Sequence, residues 1–276
     1  MQDFERIRSF IQSFGKDEEG LTGEIYRDAV SRGVPVIRPD MKELLRLLLL
    51  MQKPERILEI GTAVGFSSLF MAEVLPEVRI TTLELDPERV AEARENILRA
   101  GEEHRITVRE GDAAKLLADL NKEIQAGKKA EMNAEMSAGS TGDGAVSPEE
   151  DGKPEAEGCK KNEKILRGVS GPAQDVGSGG EAGLYDFVFI DAAKAQYGEY
   201  LSLVLPLVRP GAVIVSDNVL QDGSILESHF LVEKRDRTIH DRMREYLKRL
   251  TDTEELTTTI LPVGDGAAVT IYRPEC

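Results

Sequence analysis
The sequence predicts an open, doubly wound α/β fold with a mostly parallel sheet and an antiparallel hairpin at one edge. Three observations carry this. From residue 57 onward, short apolar runs suited to strands buried on both faces alternate with amphipathic helical stretches. The first run passes through glycines straight into a helix, in Arg56-Ile-Leu-Glu-Ile-Gly-Thr-Ala-Val-Gly-Phe-Ser-Ser68. The last two runs, 257–261 and Ala267–Tyr272, are joined by Val263-Gly-Asp-Gly266, which reads as a hairpin turn.

Residues 1–52 read as helical with a break at Gly33-Val-Pro-Val-Ile-Arg-Pro39. Asp40 is the expected N-cap of a helix carrying Leu44, Leu45, Leu47 and Leu48. Ile57, Leu58 and Ile60 form the first strand. Leu69, Phe70, Ala72 and Leu75 then recur at helical spacing over 66–75. A strand over 79–84 precedes a helix over 87–100, opened by Pro87, whose fixed φ suits a first helical position. A strand over 105–109 runs through Gly111-Asp-Ala113 into a helix over 113–125. The buried run Tyr185–Ile190 leads to a helix over 195–208, and a strand over 212–215 follows Pro210-Gly211. A helix over 236–250 precedes the hairpin.

Residues 121–183 break this rhythm. They hold no Phe, Tyr or Trp, and 12 of them are glycine. Such a stretch buries too little apolar surface to offset its ordering entropy, so it reads as a low-complexity insertion, disordered over about 127–183. The expectation is a single domain spanning 1–276 around that insertion.

Composition narrows the function classes. Apolar residues make up 41% of the chain, enough for a sizeable core, and 50 acidic against 35 basic side chains leave a net charge of −15. That balance opposes broad, nonspecific nucleic-acid binding while leaving room for a local basic patch. The two cysteines, Cys159 and Cys276, offer neither a disulfide framework nor a zinc spacing. The charged N-terminus lacks the apolar core of a signal peptide, and the apolar run 44–51 is far too short to span a bilayer. The expectation is a cytoplasmic protein with no membrane partner.

The glycine-rich turn is the first chemical signal. Gly61 and Gly65 let the backbone turn sharply and approach a ligand, at the carboxyl edge of a parallel sheet and the start of a helix. The spacing is neither GxGxxG nor a phosphate loop. Instead Glu59 precedes the first glycine and Glu84 closes the next strand, 23 residues after Gly61, where a carboxylate can accept hydrogen bonds from both hydroxyls of a ribose. That combination suits S-adenosylmethionine better than a dinucleotide. The plainer reading is an ordinary strand–turn–helix in which Gly61 only relieves crowding.

Two further strand ends carry matching polar groups, in Phe187-Val-Phe-Ile-Asp-Ala-Ala-Lys194 and Val213-Ile-Val-Ser-Asp-Asn218. Neighbouring strands of an open sheet present such groups side by side. Asp191, Asp217 and Asn218 then supply three hard oxygen ligands, which suit Mg²⁺ or another hard divalent cation. Alternatively, Asp217-Asn218 makes a turn and Asp191 caps a helix. Lys194, beside such a cation, is placed as a general base toward an acidic hydroxyl or as an orienting group; the bland reading is a solvated lysine.

Taken together, Leu58-Glu-Ile-Gly-Thr-Ala-Val-Gly-Phe-Ser67, Glu84, Gly111-Asp-Ala113, Phe189-Ile-Asp-Ala-Ala-Lys194 and Asp217-Asn-Val-Leu220 resemble the cation-dependent class I O-methyltransferases of the catechol and caffeoyl-CoA type. The resemblance covers nearly all of the chain outside 121–183. It implies the seven-stranded, Rossmann-like methyltransferase sheet, an S-adenosylmethionine pocket and a Mg²⁺ site. By position it places Glu59, Gly61, Ala63 and Ser67 at the methionine end of the cofactor and Glu84 at its ribose. Asp112 and Ala113 would flank the adenine, Ile37 would close over the cofactor, and Asp191 would serve both cofactor and metal. The family often forms homodimers, for which helices 40–52 and 236–250 offer apolar surface.

Within that family, four stretches most resemble the bacterial branch that methylates 5-hydroxyuridine at the tRNA wobble position. They are Gly33-Val-Pro-Val36, Asp191-Ala-Ala-Lys-Ala-Gln-Tyr197, Asp217-Asn-Val-Leu220 and Leu261-Pro-Val-Gly-Asp-Gly-Ala-Ala268. The insertion and the acidic charge depart from that branch. Arg235, Arg237 and Arg242, followed by Arg244, Lys248 and Arg249, are candidates to contact tRNA phosphates. The alternative is a solvated helix face with Ile239, Met243, Leu247 and Leu250 packed inward. Two other readings compete: a small-molecule methyltransferase acting on a catechol-like hydroxylated aromatic, and a non-catalytic S-adenosylmethionine sensor. A sensor needs neither Lys194 nor the three oxygen ligands.

Overall fold
The computed structural model describes residues 19–138 and 183–274, together with 6, 10, 11 and 13–15. Two compact units divide the chain: 1–125 with 183–276, and 126–182. Most of the second unit, and with it most of the predicted disordered insertion, lies outside the described residues.

In chain order the described elements begin with α1 (Gly20–Ser31), α2 (Pro39–Gln52), β1 (Arg56–Ile60), α3 (Phe66–Val74), β2 (Arg79–Glu84), α4 (Pro87–Ala100) and β3 (Ile106–Glu110). Then come α5 (Ala113–Ala138), β4 (Tyr185–Ile190), α6 (Tyr197–Val204), β5 (Val208–Ser216), α7 (Arg237–Asp252), β6 (Leu256–Leu261) and β7 (Ala267–Tyr272). The strands form one seven-stranded sheet in the order β3-β2-β1-β4-β5-β7-β6. All pairs from β3 to β5 are parallel, and β7 is antiparallel to both β5 and β6. The doubly wound sheet and its antiparallel edge are therefore as expected. One detail is new: β7, the last strand of the chain, lies inside the edge, between β5 and β6.

The period-2 pleat divides each strand between two cores. Ile57, Phe187, Phe189, Val213 and Val215 pack against α1, α2 and α3 through Ile25, Met41, Leu45, Phe66 and Phe70. Leu58, Ile60, Val188, Ile190 and Ile214 pack on the other face against Leu117, Leu201, Met243 and Tyr246 of α5, α6 and α7. Asp186 ties the amino edge of the sheet: its Oδ2 accepts from the backbone N–H of Glu55 and Arg56, at 2.9 and 3.0 Å, and its Oδ1 pairs with Arg209 Nε at 2.6 Å.

Several sequence expectations need correction. Asp40 is not an N-cap: α2 begins one residue earlier at Pro39, with Arg38 in the cap position. The Asp40 side chain instead accepts from Gly264 N at 2.9 Å, tethering the β6–β7 turn. The helix expected over 113–125 continues to Ala138. The one expected over 195–208 is a 3-10 turn at Lys194–Gln196, α6, and a second 3-10 turn at Leu205–Leu207, where Pro206 cannot extend an α-helix. β5 begins at Val208 rather than 212, and a register shift opposite Tyr185–Phe187 accommodates the Pro210-Gly211 pair. Among the described residues, no helix is long and apolar enough to cross a membrane.

Candidate active site
The strand order reverses between β1 and β4, and the helices that follow them, α3 and α6, pack on opposite faces of the sheet, leaving a crevice at its carboxyl edge, the usual ligand position in an open α/β sheet. Ladder bonds continue past the strand ends and set the alignment there. Gly111 N donates to Glu84 O at 2.8 Å; Gly61 N to Leu83 O, Asp191 N to Ile60 O and Asp217 N to Ile190 O do so at 2.9 Å. The chemistry-bearing residues therefore stand in a row along one sheet edge.

Gly61 is dictated by this crowding. With φ at +102°, a Cβ there would lie 2.1 Å from the carbonyl oxygen of Asp191. Ala63 also has positive φ, at 46°. The turn thus wraps tightly around Glu84. That carboxylate accepts from the N–H groups of Thr62 and Ala63 at 3.2 and 2.9 Å on Oε2, and from Leu85 and Asp86 at 2.9 and 3.0 Å on Oε1. Above the row lies a cleft of about 470 Å³. Ile37, Gly61, Ala63, Ser67, Glu84, Asp112, Ala113, Asp191 and Lys194 all line it. Asp112 also accepts from Lys115 N at 3.1 Å, which fixes the start of α5.

Glu59, the remaining residue assigned to the cofactor, does not line the cleft; it is buried one layer behind it. Its Oε2 accepts from Ser68 Oγ and, at 2.6 Å, from Thr82 Oγ1, while Oε1 has no partner. Burial pushes its carboxyl up to about 7, against the neighbouring hydroxyls of Ser67, Ser68 and Thr82, which favour the anion. Because the folded-state value lies above that of an unfolded chain, the stability associated with Glu59 is full below about pH 4.5 and is lost as pH rises through about 7. The shift corresponds to roughly 3 kcal/mol. Glu59→Gln is accordingly expected to remove this share of the decline in unfolding free energy between pH 5 and 8, measured by urea titration across that range.

Lys194 is the hub of the second cluster. Its Nζ donates to Asn218 Oδ1 at 2.6 Å and to Asp191 Oδ1 at 3.0 Å, and lies 3.4 Å from the Tyr197 hydroxyl. Asp217, only 2% exposed, stands beside them. Burial, and then the charge of Asp191, push its carboxyl up to about 7, against the Asn218 N–H and Lys194, which favour the anion. The Asp191 carboxylate and the Asn218 amide oxygen on one ammonium, with the Asp217 carboxylate close enough to feel both charges, form a hard donor set that fits a divalent cation, whose charge would offset the repulsion between Asp191 and Asp217.

Tyr197 and the β6–β7 turn, to which no role was given from sequence, brace this cluster. The Tyr197 hydroxyl lies 3.2 Å from Ile190 O and 3.0 Å from Asp217 O, joining the ends of β4 and β5. Burial holds it protonated, far above the ordinary tyrosine range, so it remains a donor. Val219 N and Leu220 N donate to Gly266 O and Asp265 O, both at 2.9 Å. The one legible signal was a tyrosine three residues after a strand-end lysine.

The three arginines assigned to RNA have partners within the chain. Arg235 pairs with Glu233 and Asp236 at 3.1 and 3.4 Å, and Arg242 Nη1 donates to Ala195 O at 3.2 Å. Arg237 donates to Val232 O and Phe230 O at 3.1 and 3.4 Å. The inward face of α7 is made by His240, Met243, Tyr246 and Leu250, with Ile239 and Leu247 half-buried.

A family model described as O-methyltransferase matches residues 21–132 and 164–273. A catechol O-methyltransferase from Niastella koreensis is 29% identical over 83% of this chain and 79% of its own. A caffeoyl-CoA O-methyltransferase from Medicago sativa is 27% identical over 85% of this chain and 72% of its own. The crystal structure of an O-methyltransferase from Bacillus cereus in complex with SAH shares the fold, with a TM-score of 0.67 at 21% identity and 97% of each chain covered.

Proposed function
The chain belongs to the O-methyltransferase family, and on that premise we propose that it methylates one hydroxyl of a small aromatic with vicinal oxygens, with Mg²⁺ or a similar hard cation holding the acceptor. As an S-adenosylmethionine-dependent O-methyltransferase it is an enzyme. One observation carries the finer reading: Asp191 belongs to two structures at once. It lines the cofactor cleft and, through Lys194, is joined to Asn218 beside Asp217.

When bound, S-adenosylmethionine supplies an electrophilic methyl group and the cation favours ionisation of the acceptor hydroxyl. The protein's task is then positioning and charge. Glu84 lines the cleft, its carboxylate held by four backbone N–H groups, and would be the acceptor for the ribose hydroxyls. Asp191, Asp217 and Asn218 would hold the cation. Lys194 steadies two of those oxygens by donating to Asp191 and Asn218, and the buried Tyr197 keeps the two strand ends in register. Leu47, Leu50 and Met51, exposed on α2, offer the surface for a homodimer.

The matched catechol and caffeoyl-CoA enzymes favour a small acceptor, and so does the engagement of Arg235, Arg237 and Arg242 within the chain. The test incubates the protein and S-adenosylmethionine with catechol, with a caffeoyl thioester, or with tRNA carrying 5-hydroxyuridine, each in Mg²⁺ or EDTA. Mass spectrometry is expected to find monomethylated catechol or thioester in Mg²⁺ alone. Methylation of tRNA only would move the enzyme to the RNA branch, and product formation unaffected by EDTA would overturn the cation.

A further inference from the structure
We propose that His229, His240 and Asp241 form a second metal site, suited to a borderline transition-metal ion such as Zn²⁺ and separate from the hard-oxygen cluster. Their ligand atoms all lie within 4.8 Å of one another, at the first turn of α7 and the segment preceding it. The decisive detail is the tautomer of His240, which is only 2% exposed. Its Nε2 lies 3.1 Å from the backbone carbonyl oxygen of Glu227, which can only accept, so Nε2 carries the proton. In a neutral ring that leaves the Nδ1 lone pair facing Asp241 Oδ1, 3.2 Å away. His229 Nδ1 reaches the same oxygen at 2.8 Å.

Two imidazole nitrogens therefore meet at one carboxylate oxygen, and a cation seated among the three atoms would replace both of those contacts. A ring N–H anchored on a backbone carbonyl is also the arrangement that orients metal-ligating histidines. Tetrahedral ligands at about 2.0–2.1 Å stand about 3.3 Å apart, so small rotations of the half-exposed His229 and Asp241 complete the set, with water in the fourth position. Nitrogen ligands favour Zn²⁺ or Co²⁺ over Mg²⁺. Such an ion would staple residues 227–232 to α7. That segment carries the exposed Phe230 and Leu231 and follows the turn Gln221–Leu226 leading from Asn218. A proton shared between the rings and Asp241 is the competing occupant.

The probe is Co²⁺, titrated at pH 7.5 into the metal-free full chain in a C159S/C276S background, with its visible d–d absorption recorded. One equivalent is expected to give tetrahedral bands that Zn²⁺ abolishes. His229→Ala and Asp241→Ala should each weaken binding at least about tenfold, with an unchanged circular dichroism spectrum. Asp217→Asn should leave the bands as they are, so failure of the proposed function and failure of this site are distinguishable. Absence of tetrahedral bands, or bands unaffected by His229→Ala, would overturn the site and leave a proton-linked clasp.

Discussion

Gly61→Ala is expected to weaken S-adenosylmethionine binding by at least about 100-fold and to destabilise the fold by roughly 2–3 kcal/mol. The new methyl would lie 2.1 Å from the carbonyl oxygen of Asp191 and 2.8 Å from its carbon. Both obstacles are backbone, so no rotamer change relieves them; β1 or β4 must yield by an ångström or more at its carboxyl end. That displacement breaks the Asp191 N–H bond to Ile60 O and carries Asp191 away from the cleft. Isothermal titration with S-adenosylmethionine and thermal unfolding read the two effects. Gly101→Ala is the control. It also sits at positive φ, 73°, but nothing lies within 4 Å of its Cβ position. It should cost about 1 kcal/mol and leave affinity unchanged.

Asp217→Asn is expected to lower Mg²⁺-dependent turnover by roughly 1,000-fold while making the metal-free protein more stable at pH 8, by about 2 kcal/mol. The signs oppose because of one buried charge. Without a cation, Asp217 is stripped of water and repelled by Asp191, and both effects push its carboxyl up to about 7. The penalty is absent below about pH 4 and complete above about pH 7. Asparagine keeps the acceptor for the Asn218 N–H, 2.7 Å away, without the charge. Urea denaturation in EDTA and initial rates in Mg²⁺ measure the two halves. A variant that is both less stable and less active would make Asp217 a structural group.

Much of the site was legible because a parallel sheet has a rule about where it binds. Gly61, Glu84, Asp112, Asp191 and Asp217 could be read as strand-end residues, and strand ends of one open sheet share an edge. Less legible was the direction in which some side chains point and which partners they meet. Glu59 sits next to the glycine turn in sequence, but its position in the pleat points it into the core behind the cleft. Asp40 has the composition of a cap, yet a partner 224 residues away claims it. The arginines near α7 form a cluster of cations in sequence, but carboxylates and carbonyl groups take up Arg235, Arg237 and Arg242.

By itself the sequence determined the alternation of strands and helices, the glycines at the tight turn and the inventory of hard oxygen donors, because these follow from local periodicity and residue chemistry. The tertiary structure alone decided that β7 enters the sheet between β5 and β6, and that the turn it carries, held by Asp40, braces the Asp217 cluster. It alone brought His229, His240 and Asp241 to one point. Contacts between distant segments depend on which faces are buried together, and periodicity along one segment carries no record of its partner.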